Sequence, residues 1–218
     1  RRSGVLSAQE LKMVSNTLLA ARAAARTLGH QSDTCPRLVQ LAEPLASPPG
    51  LVEAINRAIS DRGDVLDSAS DKLASIRAEL RVSHDRLFTK LQRMLTDTKT
   101  APMLQEGIIT TRNGRYVIPL RAEYKGQLRA IIHDQSASGA TLFVEPLSVV
   151  ELNNTYHEMQ LAERDEERRI LAELSDMVGA HAAALFALVD ALAQVDLALA
   201  CARYADDLHA VEPVLLPY

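Results

Sequence analysis

The sequence predicts a mainly α protein with a small β insertion: a helical core extends two long antiparallel helices that carry a four-stranded antiparallel sheet. Three observations lead there. The chain of 218 residues is 47% hydrophobic but has no Trp and only 4% aromatic residues, an Ala/Leu-rich mixture suited to close helix packing rather than to a sandwich or barrel. Apolar residues recur at helical spacing on both sides of the middle of the chain. Between them, residues 107–145 read as short strands punctuated by Asn-Gly and Ser-Gly turns.

Taken in order, the first helix is predicted over 7–28. Ser7 with Glu10 forms a capping box, Gly29 supplies the stop, and Leu11, Val14, Leu18 and Ala21 or Ala25 share one face. Residues 34–50 contain Pro36, Pro44, Pro48 and Pro49, so they read as a connection with at most a short helix at 37–43. A short amphipathic helix then turns Leu51, Val52, Ile55 and Ile59 inward, and Asp61-Arg62-Gly63-Asp64 breaks it. Ser68 with Asp71 repeats the capping-box spacing ahead of a long helix striped by Leu73, Ile76, Leu80, Leu87, Leu91 and Met94. That stripe is narrow, like a coiled-coil seam, and the far face is charged.

Pro102 marks the end of this helix region. Asn113-Gly114 suits the positive φ angles of a type I′ turn and joins strands at 108–112 and 115–121. A turn at Lys125-Gly126 leads to a strand at 128–135, and 136–139 turns into a strand at 141–144. In sequence order these four make a meander. Pro146 suits the first turn of a helix running to about 178. The middle of that helix, 163–169, has no apolar residue and is predicted to project into solvent or to bridge two bodies. After Gly179, the helix at 181–208 is apolar on most sides and is predicted to lie at the centre of the helical body.

The net charge of −4 gives no overall pull toward nucleic acid, so such a role must rest on a local patch. Cys35 and Cys201 lie far apart, without C-x-x-C spacing, and read as free thiols of a reducing compartment. No signal-peptide pattern opens the chain, which begins Arg1-Arg2-Ser3 and is expected to be a fragment of a longer protein. Residues 182–202 have the length of a membrane span but contain Asp190, Gln194 and Asp196. Each central Asp costs roughly 2.5–3.5 kcal/mol in lipid and each Leu returns only about 0.5, so a buried helix is expected, with no membrane partner.

The catalytic vocabulary is thin. The chain has neither G-x-x-x-x-G-K-[ST] nor G-x-G-x-x-G to cradle a nucleotide, and no G-x-S-x-G elbow. His133 and Asp134 are neighbours on a strand, so they point to opposite faces and do not orient each other as a triad requires. His157-Glu158 lacks the second His of a zinc helix, because Leu161 stands there. Residues 136–139 fit a hairpin turn better than an anion nest, and His84 reads as a partly buried helix residue. No catalytic or metal-binding residue is assigned. The candidate nucleic-acid contacts are Arg112, Arg115, Arg121, Lys125 and Arg129, which outnumber Glu123, Asp134 and Glu145 in the β island of an otherwise acidic chain. Phosphate contact and protection of sheet edges by charge account for them equally well.

The stretch TTRNGRYVIPLRAEYKGQLRAIIHDQSASGATLFVEPLSVVELNN resembles the hallmark of the second bacterial MutS family, the paralogue without the mismatch-reading domain. Residues 64–70, DVLDSAS, and 195–200, VDLALA, followed by Arg203-Tyr204, are similar to that family too. The resemblance covers nearly the whole chain. It implies a helical core at 1–67 and 179–218, an outgoing lever helix at 68–106, a β clamp at 107–145 and a returning lever helix at 146–178. It also implies a cytoplasmic, ATP-driven homodimer with a C-terminal nuclease-type domain. Such proteins suppress recombination on branched or duplex DNA and, in some bacteria, split collided ribosomes, where the contact would include rRNA. ATP and Mg would belong to the missing ATPase domain, so this fragment carries no cofactor and is no enzyme by itself. The alternative is a dimerisation and transmission module that touches protein rather than nucleic acid.

Overall fold

A computed structural model describes residues 4–30 and 35–211; the Arg1-Arg2-Ser3 opening and Thr34, where the proline-rich connection was expected to begin, lie outside them. The fold class is mainly α with one small antiparallel sheet, as the sequence predicts. Among the described residues two compact units form: one from those up to Ala69 together with those from Arg169 on, the other from Ser70–Arg168.

In the first unit, α1 (Ala8–Gly29) starts at the predicted capping box, with the Ser7 hydroxyl accepting the Glu10 N–H and Glu10 accepting the Ser7 N–H. Its buried face is Leu11, Ser15, Leu18 and Ala21. Ser15 is tolerated there because its hydroxyl donates to Asn56 Oδ1 at 2.9 Å. Gly29 is the last helical residue and His30 follows with φ −73°, so the helix stops without a left-handed cap. The short α2 (Pro36–Ala42) opens on proline, and α3 (Leu51–Ala58) buries Leu51, Val52, Ile55 and Ala58. The chain then reverses at Gly63, with φ +85°, to bridge Ile59 with Val65.

The last helix of this unit, α6 (Ala182–Asp207), corrects an expectation. It buries only Leu188, Ala191 and Val195, a single stripe, while Phe186, Val189, Leu197 and Leu199 are exposed. It is not the centre of the helical body. A helix apolar all round gives no sign of which face is covered, so the periodicity argument had nothing to act on. By length and composition alone, α6 is long and apolar enough to cross a membrane.

In the second unit, α4 (Asp71–Thr96) is capped by Ser70, whose hydroxyl accepts the Leu73 N–H, and not by Ser68. Ser68 instead donates to the Arg57 carbonyl from within a short 3-10 turn. Four strands follow: β1 (Thr110–Arg112), β2 (Arg115–Arg121), β3 (Ala130–Gln135) and β4 (Thr141–Pro146). Asn113 and Gly114 both take positive φ, as the tight hairpin requires. The sheet order is β1-β2-β4-β3, all antiparallel, which replaces the expected meander. The most buried strands, β2 and β4, pair at the centre; the short β1 and the half-exposed β3 take the edges. Burial decides the order, and residues 122–129 form the link that lets β4 reach β2.

Helix α5 (Val150–Ala180) follows the sheet and enters the first unit after Arg168. Within the second unit it runs antiparallel beside α4: Arg77 meets Glu163 and Glu167, the His84 ring lies 5.6 Å from that of Tyr156, and Ser148, in the turn just before α5, approaches Met94. Leu87 and Leu91 of α4 share a core with Ile118, Leu120, Leu142 and Val144 of the sheet. The sheet's inner face is therefore packed on α4. The polar run at 163–169 is solvated on one side only, at Arg164, Asp165, Arg168 and Arg169, while Glu163, Glu166 and Glu167 turn to α4. Glu166 is buried and accepts from the Ser70 hydroxyl at 2.9 Å and from Lys72 at 3.0 Å, because cations on α4 face it.

Candidate nucleic-acid interface

The β strands place the five predicted cations in unlike surroundings. Arg115, at the start of β2, donates from Nη1 to Glu145 Oε1 at 2.9 Å and from Nη2 to Asn154 Oδ1 at 2.6 Å. Glu145 is fully buried and also accepts from Asn153 Nδ2 at 2.8 Å, while His133 Nε2 lies 2.6 Å from its other oxygen. Asn153 completes the node by accepting the Tyr116 N–H and donating to the Tyr116 carbonyl. One buried carboxylate thus ties β2, β3, β4 and α5 together, with Arg115 and Asn153 donating to one oxygen and the His133 ring beside the other.

Arg112 is engaged as well. Its guanidinium lies 3.9 Å from the centre of the Phe143 ring, and Nε donates to Asp134 Oδ2 at 2.9 Å. Arg112 and Asp134 stand on the two outermost strands, so this side chain clips the sheet edges across Phe143. Arg121 donates from Nε to the Leu104 carbonyl at 3.1 Å and remains partly open to solvent. Lys125 and Arg129 lie exposed on the 122–129 link and form no side-chain ion pair or hydrogen bond among the described residues.

His133 and Asp134 take separate partners, Glu145 and Arg112, across the β-bulge at Ile132/Asp134. Residues 136–139 form a turn: Gly139 N–H donates to the Ser136 carbonyl, and the Ser136 hydroxyl accepts the Thr141 N–H. His84 is half-buried among the rings of Phe88, Tyr116 and Tyr156. Burial first, and the neighbouring Tyr156 hydroxyl second, push the Tyr116 phenol above its ordinary range.

The sequence reading passed over a second set of cations. Arg86, Lys90 and Arg93 lie at i, i+4 and i+7 on α4, all exposed and without an ion pair among the described residues. The legible signal was their spacing with no acid interposed on that face. The last turn of α4 leads into Asp97, which accepts the N–H groups of Lys99 and Thr100 and the Thr100 hydroxyl.

Over nearly its whole length the chain is similar to one region of MutS2 proteins. It is 45% identical over 215 residues to an endonuclease MutS2 of Geobacillus sp. strain WCH70, covering 97% of this chain. It is 42% identical over 219 residues to that of Thermomicrobium roseum and 40% over 215 residues to that of Symbiobacterium thermophilum, covering 99% of this chain in each. The chain spans 27% of the length of each of these relatives. No family model matches it.

Proposed function

We propose that this chain is the non-catalytic lever and clamp region of a MutS-type ATPase, with α4 and the adjoining part of α5 as levers and the four-stranded sheet as clamp. In the parent, ATP and Mg act in a separate ATPase domain, the protein works as a cytoplasmic homodimer, and a C-terminal nuclease domain completes it. The observation that supports this best is the antiparallel pair α4/α5, cross-linked at Arg77 and sharing its other end with the sheet. Such a pair converts rotation at one end into displacement of a rigid sheet at the other. The target is branched or duplex DNA, collided ribosomes, or both, gripped through phosphates. Lys125 and Arg129 serve as contacts, while Arg112, Arg115 and Arg121 hold the shape of the sheet that presents them.

Junction-DNA gel shifts beside ribosome pelleting, with the intact protein, test the proposal. Salt-sensitive binding to either target is the expected result. Absence of binding to both at low salt would overturn it. A second reading, a dimerisation and transmission module, is favoured by one observation: the apolar face of α6 exposed around Phe186 and Leu197. Light scattering separates the two, because a salt-indifferent dimer unaffected by duplex DNA supports the rival.

A further inference from the structure

Two stretches of α4 carry cations in opposite states. Near its start, Lys72 is paired with Glu166, and Arg77 is gripped by Glu163 and Glu167 at 2.7 Å each. Near its end, Arg86, Lys90 and Arg93 stand exposed with no such partner among the described residues. At 1.5 Å per residue they form a line of about 10.5 Å along the helix. Arg86 with Lys90, and Lys90 with Arg93, are like-charge pairs at helical neighbour spacing, an arrangement that destabilises an isolated helix. A sequence that breaks a local rule twice in one face, with no compensating contact, does so most simply for a ligand.

No acid nearby forms an ion pair with the line among the described residues. Asp85 is turned to His84, with an oxygen 3.5 Å from Nδ1. Asp97 lines the same shallow groove as Lys90 and Arg93, but its Oδ2 accepts the Lys99 and Thr100 N–H groups. The exposed residues between and after the cations, Thr89, Gln92 and Thr96, are uncharged hydrogen-bonding side chains. A protein partner would want aromatic anchors and would disfavour lysine at its centre. A phosphodiester backbone wants a row of cations flanked by small polar donors.

We infer that Arg86, Lys90 and Arg93 of α4 are a backbone-tracking contact for a nucleic-acid duplex, so that the outgoing lever helix itself, and not only the sheet, touches the target. The inference rests on the nucleic-acid reading proposed above and extends it to a surface that reading did not include. DNA and rRNA duplexes share the chemistry, so both serve as probes.

The test is the Arg86→Gln/Lys90→Gln/Arg93→Gln variant of the intact protein, with Lys125→Gln/Arg129→Gln as the comparison. Affinity for duplex DNA, a four-way junction and ribosomes is measured across a salt titration. On duplex DNA the slope of log affinity against log salt flattens by about 2.7, at about 0.9 per lost phosphate contact. Loss on ribosomes alone would also support the contact and assign rRNA as its source. The triple variant melts no lower than the parent, since the substitutions remove repulsion; should it melt lower, Arg86→Lys/Arg93→Lys, which keeps the charge, must bind as the parent does. An unchanged slope on every probe that the parent binds overturns this inference and leaves the broader reading standing. If the parent binds none of the probes, both fall together.

Discussion

The arginines of the sheet and the cations near the end of α4 share a chemistry and differ in what surrounds them. Arg112 and Arg115 come from the stretch richest in cations, yet each is enclosed by partners: Phe143 and Asp134 for one, Glu145 and Asn154 for the other. Arg86, Lys90 and Arg93 come from an ordinary-looking amphipathic helix and are open. A local excess of charge therefore does not measure the charge available to a ligand. What measures it is the count of acids and π-faces within reach, and that depends on which strands become neighbours.

The largest effect lies at the buried node. Glu145→Ala removes the carboxylate that Arg115, Asn153 and His133 all approach, and leaves a guanidinium partly buried without its counter-charge. Losing one partner of such a pair costs about 3 kcal/mol, read as a lower urea midpoint at unchanged slope. A cost under about 1 kcal/mol would break the comparison, because Arg115 would then be free enough to serve a phosphate.

Next comes the other end of the helix pair. Arg77 is only part-exposed and bridges Glu163 and Glu167. Arg77→Ala should cost about 1.5 kcal/mol, the range for hydrogen bonds to charged groups. It should also loosen amide-exchange protection around 160–168 more than around the sheet. Equal loosening at both ends would mean that the lever is not cross-linked there. A smaller cost, about 1 kcal/mol, is expected for Arg112→Gln, which gives up a half-exposed ion pair and the contact with Phe143. If phosphate affinity of the intact protein falls with no loss of stability, Arg112 is a contact residue and not a clip.

Much of this architecture could be read from the residues alone, for identifiable reasons. Ser7 and Glu10 announce the start of α1 because capping is local, and Asn113-Gly114 announces a hairpin because its φ requirement is local. The sheet order could not be read, since it depends on β4 burying Leu142 and Val144 between β2 and β3, a choice made by long-range packing. The same holds for α6, whose uniform apolarity hides which stripe is covered. At the candidate interface, the residue types were legible and their occupation was not. Glu145 sits thirty residues from Arg115 in sequence, and only the assembled sheet reveals the pair. Ser70 displaced Ser68 as the cap of α4 because the Arg57 carbonyl claims the Ser68 hydroxyl.

The finest test of the comparison concerns Asp97, the acid one turn beyond Arg93. The Thr100 backbone N–H first, then its hydroxyl, hold the Asp97 carboxyl below the usual carboxylate range. A group depressed in the folded state contributes stability above its unfolded pKa of about 3.9, and that contribution is lost as pH falls through the folded value. Asp97→Asn should therefore melt slightly lower than the parent at pH 7, and the two curves should converge in strong acid. Salt distinguishes the partners of that carboxylate. Hydrogen bonds to the Lys99 and Thr100 N–H groups survive high ionic strength, whereas attraction to the Lys99 ammonium, or to any other cation across solvent, is screened within roughly a Debye length. A pH 7 difference that persists in high salt keeps Asp97 assigned to its own turn and Arg93 open. If salt erases the difference, charge attraction holds Asp97, and repeating the comparison in Lys99→Gln and Arg93→Gln backgrounds tells which cation supplies it; only loss in the Arg93→Gln background narrows the contrast between α4 and the sheet to Arg86 and Lys90.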